Sequence, residues 1–413
     1  MTRRPGRLLA TLVASLAAAI AQAGDASGGG SLVLVGGALR PDNAAVHEAF
    51  IERLPPEGRV VIIPAASGQP ARAAARFSAA LQQHGLAGAR ITVFPLAVRD
   101  DSNTAGVDES EWAQNAWDPG LVEAVEDAAG FWFTGGDQVR ITDSLRNAAG
   151  EESPLLQLIR SRLAAGAVVG GTSAGAAVMS RDMIAGGDSF RALTQPLAPG
   201  YAGLEEQDSG RLSLLPGLGF FPFGVVDQHF DRKARLGRLV RALAETGATA
   251  GFGIDEDTAL VVDLASGRGR VAGSASVVLL DIADARLGSA PGEIVAGVRL
   301  GVAHDGVEIE LAGQRLLGGM GKPTRASPYY GHEPLQGGGM AFANARLDHL
   351  LGHDLLDNHA SSELRRYSVD GAGALLIYRF YETESSEGYW DDSVGDRYSA
   401  SAVGFDILLD PGP

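Results

Sequence analysis

The chain predicts an α/β fold: three layers, with a mostly parallel sheet covered by helices on both faces, plus a β-rich C-terminal extension. Three observations carry this. Short apolar runs alternate with helical segments of about 10–15 residues along the first part of the chain. The runs are apolar at nearly every position, as in strands buried on both sides. After about residue 250 the texture changes to strand- and hairpin-like segments.

The elements follow in order. SLVLVGG (31–37) reads as a buried strand ending in a glycine turn. NAAVHEAFIERL (43–54) has helical spacing, RVVIIPAAS (59–67) is a second strand, PARAAARFSAALQQHG (70–85) a helix and RITVFPL (90–96) a third strand. GFWFTGG (130–136), the helix SPLLQLIRSRLAAG (153–166) and the strand AVVGG (167–171) continue the alternation. TALVVD, GRVAGSASVVLLD and EIVAGVRLGVAHDGVEIEL look like strands and hairpins. Residues 318–330 are rich in Gly and Pro, and 331–413 mixes a helix at 344–357 with ALLIYRFYE and ASAVGFDILL. The division expected is a main domain over 31–285 and an accessory region over 286–413, with no internal repeat.

The 413 residues are 45% apolar and 20% charged, a balance that buries a sizeable core. The N-terminus carries a basic start (MTRRPGR), an apolar run and a small-residue site at Ala21–Ala23, the signature of a secretory signal peptide over 1–23. Residues 24–30 then form a flexible leader, and the expected localisation is secreted or periplasmic. The apolar run is too short and alanine-rich for a good membrane span, so no stable membrane association is expected after cleavage. Loss of Arg3, Arg4 and Arg7 takes the formal charge from −16 to −19, which argues against a nucleic-acid partner. The absence of cysteine excludes disulfides, thiolate zinc sites and thiol nucleophiles.

Chemistry concentrates in VVGGTSAGAAVMS (168–180). Gly171-Thr172-Ser173-Ala174-Gly175 fits a G-x-S-x-G elbow between a strand and a helix. Such a turn lifts the serine hydroxyl above the strand end and places the Ala174 N–H to bind an oxyanion. A serine of ordinary pKa needs a base. His229 follows the apolar strand in VVDQHFDRKARLGRL (225–239), at the strand end where open α/β sheets carry their sites. Arg235 and Arg238, three apart on a predicted helix, share a face suited to binding carboxylates through planar forks. A solvated basic face is the bland alternative.

LVLVGGALRPDN, IIPAAS, FTGGDQ, GGTSAGA, DQHF with arginines following, and GIDEDTA occur in this order over residues 31–285. Together they resemble the cyanophycinase family of serine exopeptidases, related to aspartyl dipeptidases on a class I glutamine-amidotransferase-like fold. The resemblance implies that Ser173 is the nucleophile and His229 its base. It implies that Gly135, Gly136, Asp137 and Gln138 serve the oxyanion hole and hold substrate, with Gly136 and Asp137 beside Ala174 in the hole and Gln138 on the substrate. It further implies that Asp227, Gln228, Lys233, Arg235 and Arg238 line the substrate cleft. Relatives place a triad acid some fifteen to eighteen residues after the serine, which points to Asp188, with Asp182 as runner-up. Asp255 and Glu256 in GIDEDTA are then structural supports or cleft carboxylates.

Two departures stand out. Lys233 occupies a position where the family pattern has arginine, with Arg232 next to it. The segment between Asp188 and His229 is long. In the C-terminal region His349 and His353, with His359 nearby, offer i, i+4 imidazoles, but a solvated helix end fits them better than a metal, and no metal or cofactor is expected. The expected function is a secreted serine exopeptidase that cleaves cyanophycin to β-Asp-Arg dipeptides through an acyl-enzyme. An aspartyl or isoaspartyl dipeptidase and a non-catalytic binding protein of the same fold are the alternatives. A peptide or cyanophycin is the expected substrate partner, and a homodimer the candidate assembly. The missing cysteine excludes a glutamine amidotransferase, and a lipase-type hydrolase would not place DQHF and arginines after its acid.

Overall fold

The computed structural model describes residues 29–288, 292–340, 346–370, 373–393 and 395–410. The expected signal peptide and residues 24–28 of the leader lie outside the described residues, as do 344 and 345 of the expected helix.

The strands are β1 (Ser31–Val35), β2 (Val60–Ile63), β3 (Ile91–Val93), β4 (Gly130–Phe133), β5 (Val168–Thr172), β6 (Asp182–Gly186) and β7 (Ser213–Pro216). There follow β8 (Val225–Gln228), β9 (Ala250–Ile254), β10 (Thr258–Asp263), β11 (Arg268–Gly273), β12 (Ser276–Asp281), β13 (Arg286–Leu287) and β14 (Glu293–His304). The last are β15 (Glu308–Glu310), β16 (Arg315–Gly318), β17 (Lys322–Pro323), β18 (Glu363–Val369), β19 (Leu375–Tyr381), β20 (Glu387–Asp391) and β21 (Arg397–Asp410).

A nine-stranded sheet has the order β16-β15-β11-β10-β1-β5-β4-β2-β3. From β1 to β3 every pairing is parallel. From β1 outward to β16 every pairing is antiparallel. The sheet is therefore mixed, and only the half from β1 to β3 has the parallel order expected. Alternation along each parallel strand sorts the side chains onto two faces. Val33, Val35, Val60, Ile62 and Trp132 pack with Phe50 and Phe77 of the helices Ala44–Ile51 and Pro70–Gln83. Leu32, Leu34, Ile63, Phe131 and Phe133 face the other way, against the helices Gln138–Leu145 and Pro154–Ala164.

The second sheet runs β17-β20-β21-β14-β12-β9-β8, with β19 joined to β21, β18 to β19 and β13 to β14. Its inner face, including Val226, Phe252, Ile254 and Leu279, shares the core of the first sheet. Its outer face carries the helix Leu236–Thr246 and the π-type helix His349–Leu356. Residues 286–413, expected as an accessory region, thus contribute to both sheets: β14 pairs with β12, and β15 pairs with β11. The sequence boundary at 285 falls inside a sheet, because strand pairing is set by partners far away along the chain.

Trp132 anchors the cluster between the first sheet and the helices Ala44–Ile51 and Pro70–Gln83. It is 1% exposed, stacks on Phe77 with ring centroids 4.0 Å apart, and meets Phe50 edge-on. Trp132→Ala is expected to lower unfolding free energy by about 3–5 kcal/mol, read from urea denaturation, because the rigid sheet cannot close the cavity.

Candidate active site at the strand ends

Strands β1, β5, β8 and β9 bring the site together at their C-terminal ends. Ser173 follows β5 directly and adopts φ 54°, ψ −112°, a conformation that L-residues rarely take. Its N–H donates to the Val35 carbonyl at 2.9 Å, which ties the turn to the end of β1. The helix Ala174–Ala177 that follows is a single turn. Gly175 lets that turn lie on β4, since a Cβ there would come 2.4 Å from the Phe133 carbonyl oxygen.

His229 follows β8, and its N–H donates to the Gly36 carbonyl at 2.6 Å. Its Nε2 stands 3.0 Å from Ser173 Oγ. Gly37, at φ 106°, has the imidazole against its Cα; a Cβ would lie 2.3 Å from the ring. The Nδ1 side of the ring meets Glu256 Oε1 at 2.6 Å. This follows from register. β8 and β9 are parallel, with Gln228 opposite Ile254, so the residues just past each strand stand side by side. Arg232 Nε lies 3.4 Å from the other Glu256 oxygen. Burial lowers the His229 pKa, Glu256 pulls it up, and Arg235 and Lys233 add to the lowering; the net direction is down.

The carboxylate beside His229 is therefore Glu256. Asp188, expected in that place, caps the helix Ser189–Thr194: its oxygens accept from the Arg191 N–H at 2.8 Å and the Gly210 N–H at 2.9 Å, and pair with the Arg191 guanidinium. Asp182 pairs with its neighbour Arg181. The expectation failed because it counted residues from the serine, whereas position is set by which strand end the acid follows. GIDEDTA carried the signal: its acids follow an apolar strand, as His229 does.

Around the serine, Gly135 lies close enough that its Cβ would stand 3.3 Å from Ser173 Cβ. The Asp137 N–H is already engaged, donating to Ala66 O at 2.9 Å, and its carboxylate caps the helix Gln138–Leu145. Asp137 thus does not have the free amide that an oxyanion hole requires. Gln138 is 2% exposed, donates to Ile184 O and Ala185 O, and accepts from Gln207; its amide is spent on holding β6. The Gln228 side-chain oxygen is 3.5 Å from Ser173 Oγ.

Arg235 and Arg238, expected as carboxylate binders for substrate, are 3% and 2% exposed. Arg238 forms a fork with Asp227 (2.8 and 2.6 Å) and donates to Gly187 O and Gln207 O. Arg235 donates to Gln228 O and Asp208, and stands 3.5 Å from Asp227. Burial pushes the Asp227 carboxyl up, but the two guanidiniums more than offset this and hold it below the usual range. Burial also lowers Arg235, to about 10. These groups form an internal framework and offer substrate no free fork. Of the residues expected to line the cleft, Lys233 keeps its charge toward solvent, paired at 2.6 Å with Asp208, the two side chains 35% and 51% exposed.

Behind the site a second carboxyl pair is buried. The Asp231 N–H donates to Asp255 Oδ1 at 2.9 Å, and the Leu347 N–H donates to Asp231 Oδ2 at 3.0 Å. The Ser276 N–H donates to Asp255 Oδ2 at 3.3 Å, and Asp348 and Arg346 complete the surroundings. Burial is the main cause that pushes both carboxyls far up; Asp255 reinforces it at Asp231, and Asp348 adds to it at both. The folded state then holds a proton that the unfolded chain releases from near pH 4 upward, so this pair's contribution falls as pH rises toward about 8. Melting temperatures across that window should decline more steeply for the wild type than for Asp231→Asn, which keeps only Asp255 of the titrating pair; parallel curves would refute the assignment.

The model of peptidase family S51 matches residues 32–267. The chain belongs to this family. A cyanophycinase of a Nostoc species is 32% identical over 223 residues, 54% of this chain and 63% of its own length. That of Geminocystis herdmanii is 34% identical over 203 residues, 49% of this chain and 62% of its own. A cyanophycinase of Synechococcus elongatus is 38% identical over 156 residues, 38% of this chain and 42% of its own. The match thus spans less than two thirds of these relatives. A crystal structure of a peptidase from an acI-B1 Actinobacterium aligns at 25% identity with a TM-score of 0.40, covering 60% of this chain and 89% of that one.

Proposed function

We propose that the protein is a serine-type peptidase in which Ser173, His229 and Glu256 act as a catalytic triad. One observation carries the reading: a serine in a strained elbow, an imidazole 3.0 Å away, and a carboxylate 2.6 Å from the imidazole's far nitrogen. Ser173 Oγ attacks the substrate carbonyl while His229 Nε2 takes its proton. Glu256 accepts the Nδ1–H and stabilises the imidazolium. The Ala174 N–H and Gly136 N–H are the donors suited to the tetrahedral oxyanion. His229 returns the proton to the leaving amine, and water releases the acyl group by the same route reversed. Metal or organic cofactor plays no part in this sequence of steps. The expected class I glutamine-amidotransferase-like architecture belongs to the same proposal, supported by a serine elbow at the end of a central parallel strand.

Cyanophycin, a polyaspartate with arginine on its β-carboxylates, is the substrate we favour. The named relatives and the Lys233–Asp208 pair support it: one group suits a carboxylate, the other a guanidinium. Short aspartyl or isoaspartyl peptides are the second candidate. Export through the N-terminal segment belongs to the same proposal. Incubation of purified protein with cyanophycin should release β-Asp-Arg, seen by mass spectrometry, and Ser173→Ala should lose about 10³-fold or more in turnover. Cleavage of α-linked aspartyl dipeptides alone would transfer the assignment to a dipeptidase.

The acid and the base can be checked separately. Glu256→Gln is expected to cut kcat by about 10⁴-fold, the size seen when a triad acid becomes an amide, while Asp188→Asn keeps kcat near wild type. His229 must be neutral to act as base, and its pKa is lowered by burial. The kcat/KM profile should therefore rise with pH and reach its plateau through a midpoint below the ordinary imidazole value of 6.5.

A further inference from the structure

Outside the serine site, the described residues bring two imidazoles and a carboxylate together on the face of the second sheet. His332 comes from the segment after β17, and His353 and Asp354 from the helix His349–Leu356. One nitrogen or oxygen from each lies within 4.8 Å of the others. The His332 and His353 rings are 5.5 Å apart, and His353 Nδ1 is 2.8 Å from Asp354 Oδ1. We propose that His332, His353 and Asp354 bind a divalent transition metal of the zinc class, a site distinct from the serine site.

The donor set suits such an ion. Imidazole and carboxylate are ligands for borderline cations, and three protein ligands leave the fourth place to water. Ligands at about 2.0–2.2 Å from a tetrahedral ion stand a little over 3 Å from one another, so the cluster needs only small side-chain rotations to close.

The backbone holds the two halves in place. The Tyr330 N–H donates to Asp357 O at 2.9 Å, the His359 N–H returns to Tyr330 O at 3.0 Å, and Asn358 Nδ2 donates to His332 O at 2.9 Å. The segment bearing His332 is thus pinned to the end of the helix that bears the other two ligands. The Tyr330 ring packs on His353 at 4.2 Å and fixes its plane. One turn earlier, His349 has its ring 5.8 Å from His353, and its Nε2 is buried without a hydrogen-bond partner. Arg366 stands 3.8 Å from Asp354 Oδ2 and leaves Oδ1 to the imidazole. The sequence showed only the His349–His353 spacing. His332 joins them through the fold, whereas His359 is packed against Gly331.

A metal here acts as a staple between the Gly- and Pro-rich segment and the helix. The full, untagged chain is stripped with EDTA and titrated with Zn²⁺ alone, by calorimetry and by competition with a chromogenic chelator. Saturable binding of about one ion per chain is expected, with a rise in melting temperature. His332→Ala and His353→Ala should each weaken binding by at least about a hundredfold, since loss of a merely supporting partner already costs 10–100-fold. His84→Ala, from a histidine pair elsewhere (His47 and His84, ring centroids 4.7 Å apart), should leave binding unchanged. His332 is exposed, so its variant should retain the wild-type melting temperature in EDTA. No saturable binding up to millimolar Zn²⁺, or binding that survives both histidine variants, would overturn the proposal.

Discussion

The Gly36–Gly37 turn at the end of β1 is the constraint on which the site depends. The carbonyls around it receive the N–H of Ser173, through Val35, and of His229 and Asp257, through Gly36 and Gly37. Three segments that each follow a different strand are thereby fixed to one short piece of backbone. A side chain at Gly37 would occupy the place of the imidazole itself. The serine elbow is strained, and such strain persists only where the surroundings over-determine it. The β1 turn supplies part of that determination and the packing of Gly175 on β4 supplies more.

Around this centre the charges divide by burial. Asp227, Arg235 and Arg238 saturate one another and the nearby carbonyls, as buried ions must. Their arrangement holds Gln228, Gly187 and Gln207 in position, which links the long segment after Asp188 to β8. Lys233 and Asp208 keep their heads in solvent and remain free to exchange partners. Lys233, unlike Arg235 and Arg238, thus keeps its charge at the surface, as does its neighbour Arg232. A lysine there presents a mobile point charge where a guanidinium would present a planar fork.

Much of this was legible from local pattern. The parallel strands from β1 to β5 announce themselves as apolar runs, and the elbow at Ser173 needs its glycines within a few residues. His229 was legible because it follows an apolar strand. Glu256 is visible within GIDEDTA, where sequence alone makes it a structural support or cleft carboxylate; only the register of β8 against β9 shows that it stands beside His229. The arginines differ from expectation for a related reason. A helical face of two guanidiniums looks solvated or substrate-binding until their partners, Asp227 and Asp208, are known to fold against them. The strands and hairpins after residue 250 are legible as such, but not their place in the first sheet, because β1 pairs with β10 across more than two hundred residues.

The pairing of β21 with β14, and of β14 with β12, has a consequence for how the protein comes into being. β9, which delivers Glu256, is flanked on one side by β8 and on the other by β12. Its sheet is completed only when the last strand of the described chain docks. Contacts this distant in sequence are slow to form, because the intervening loop must first lose its freedom. A ribosome that has made the region matching the family model has not yet made a finished sheet. A chain cut after β12 keeps β9 between its two neighbours but leaves β12 with an unpaired strand edge, a ready template for association with other chains.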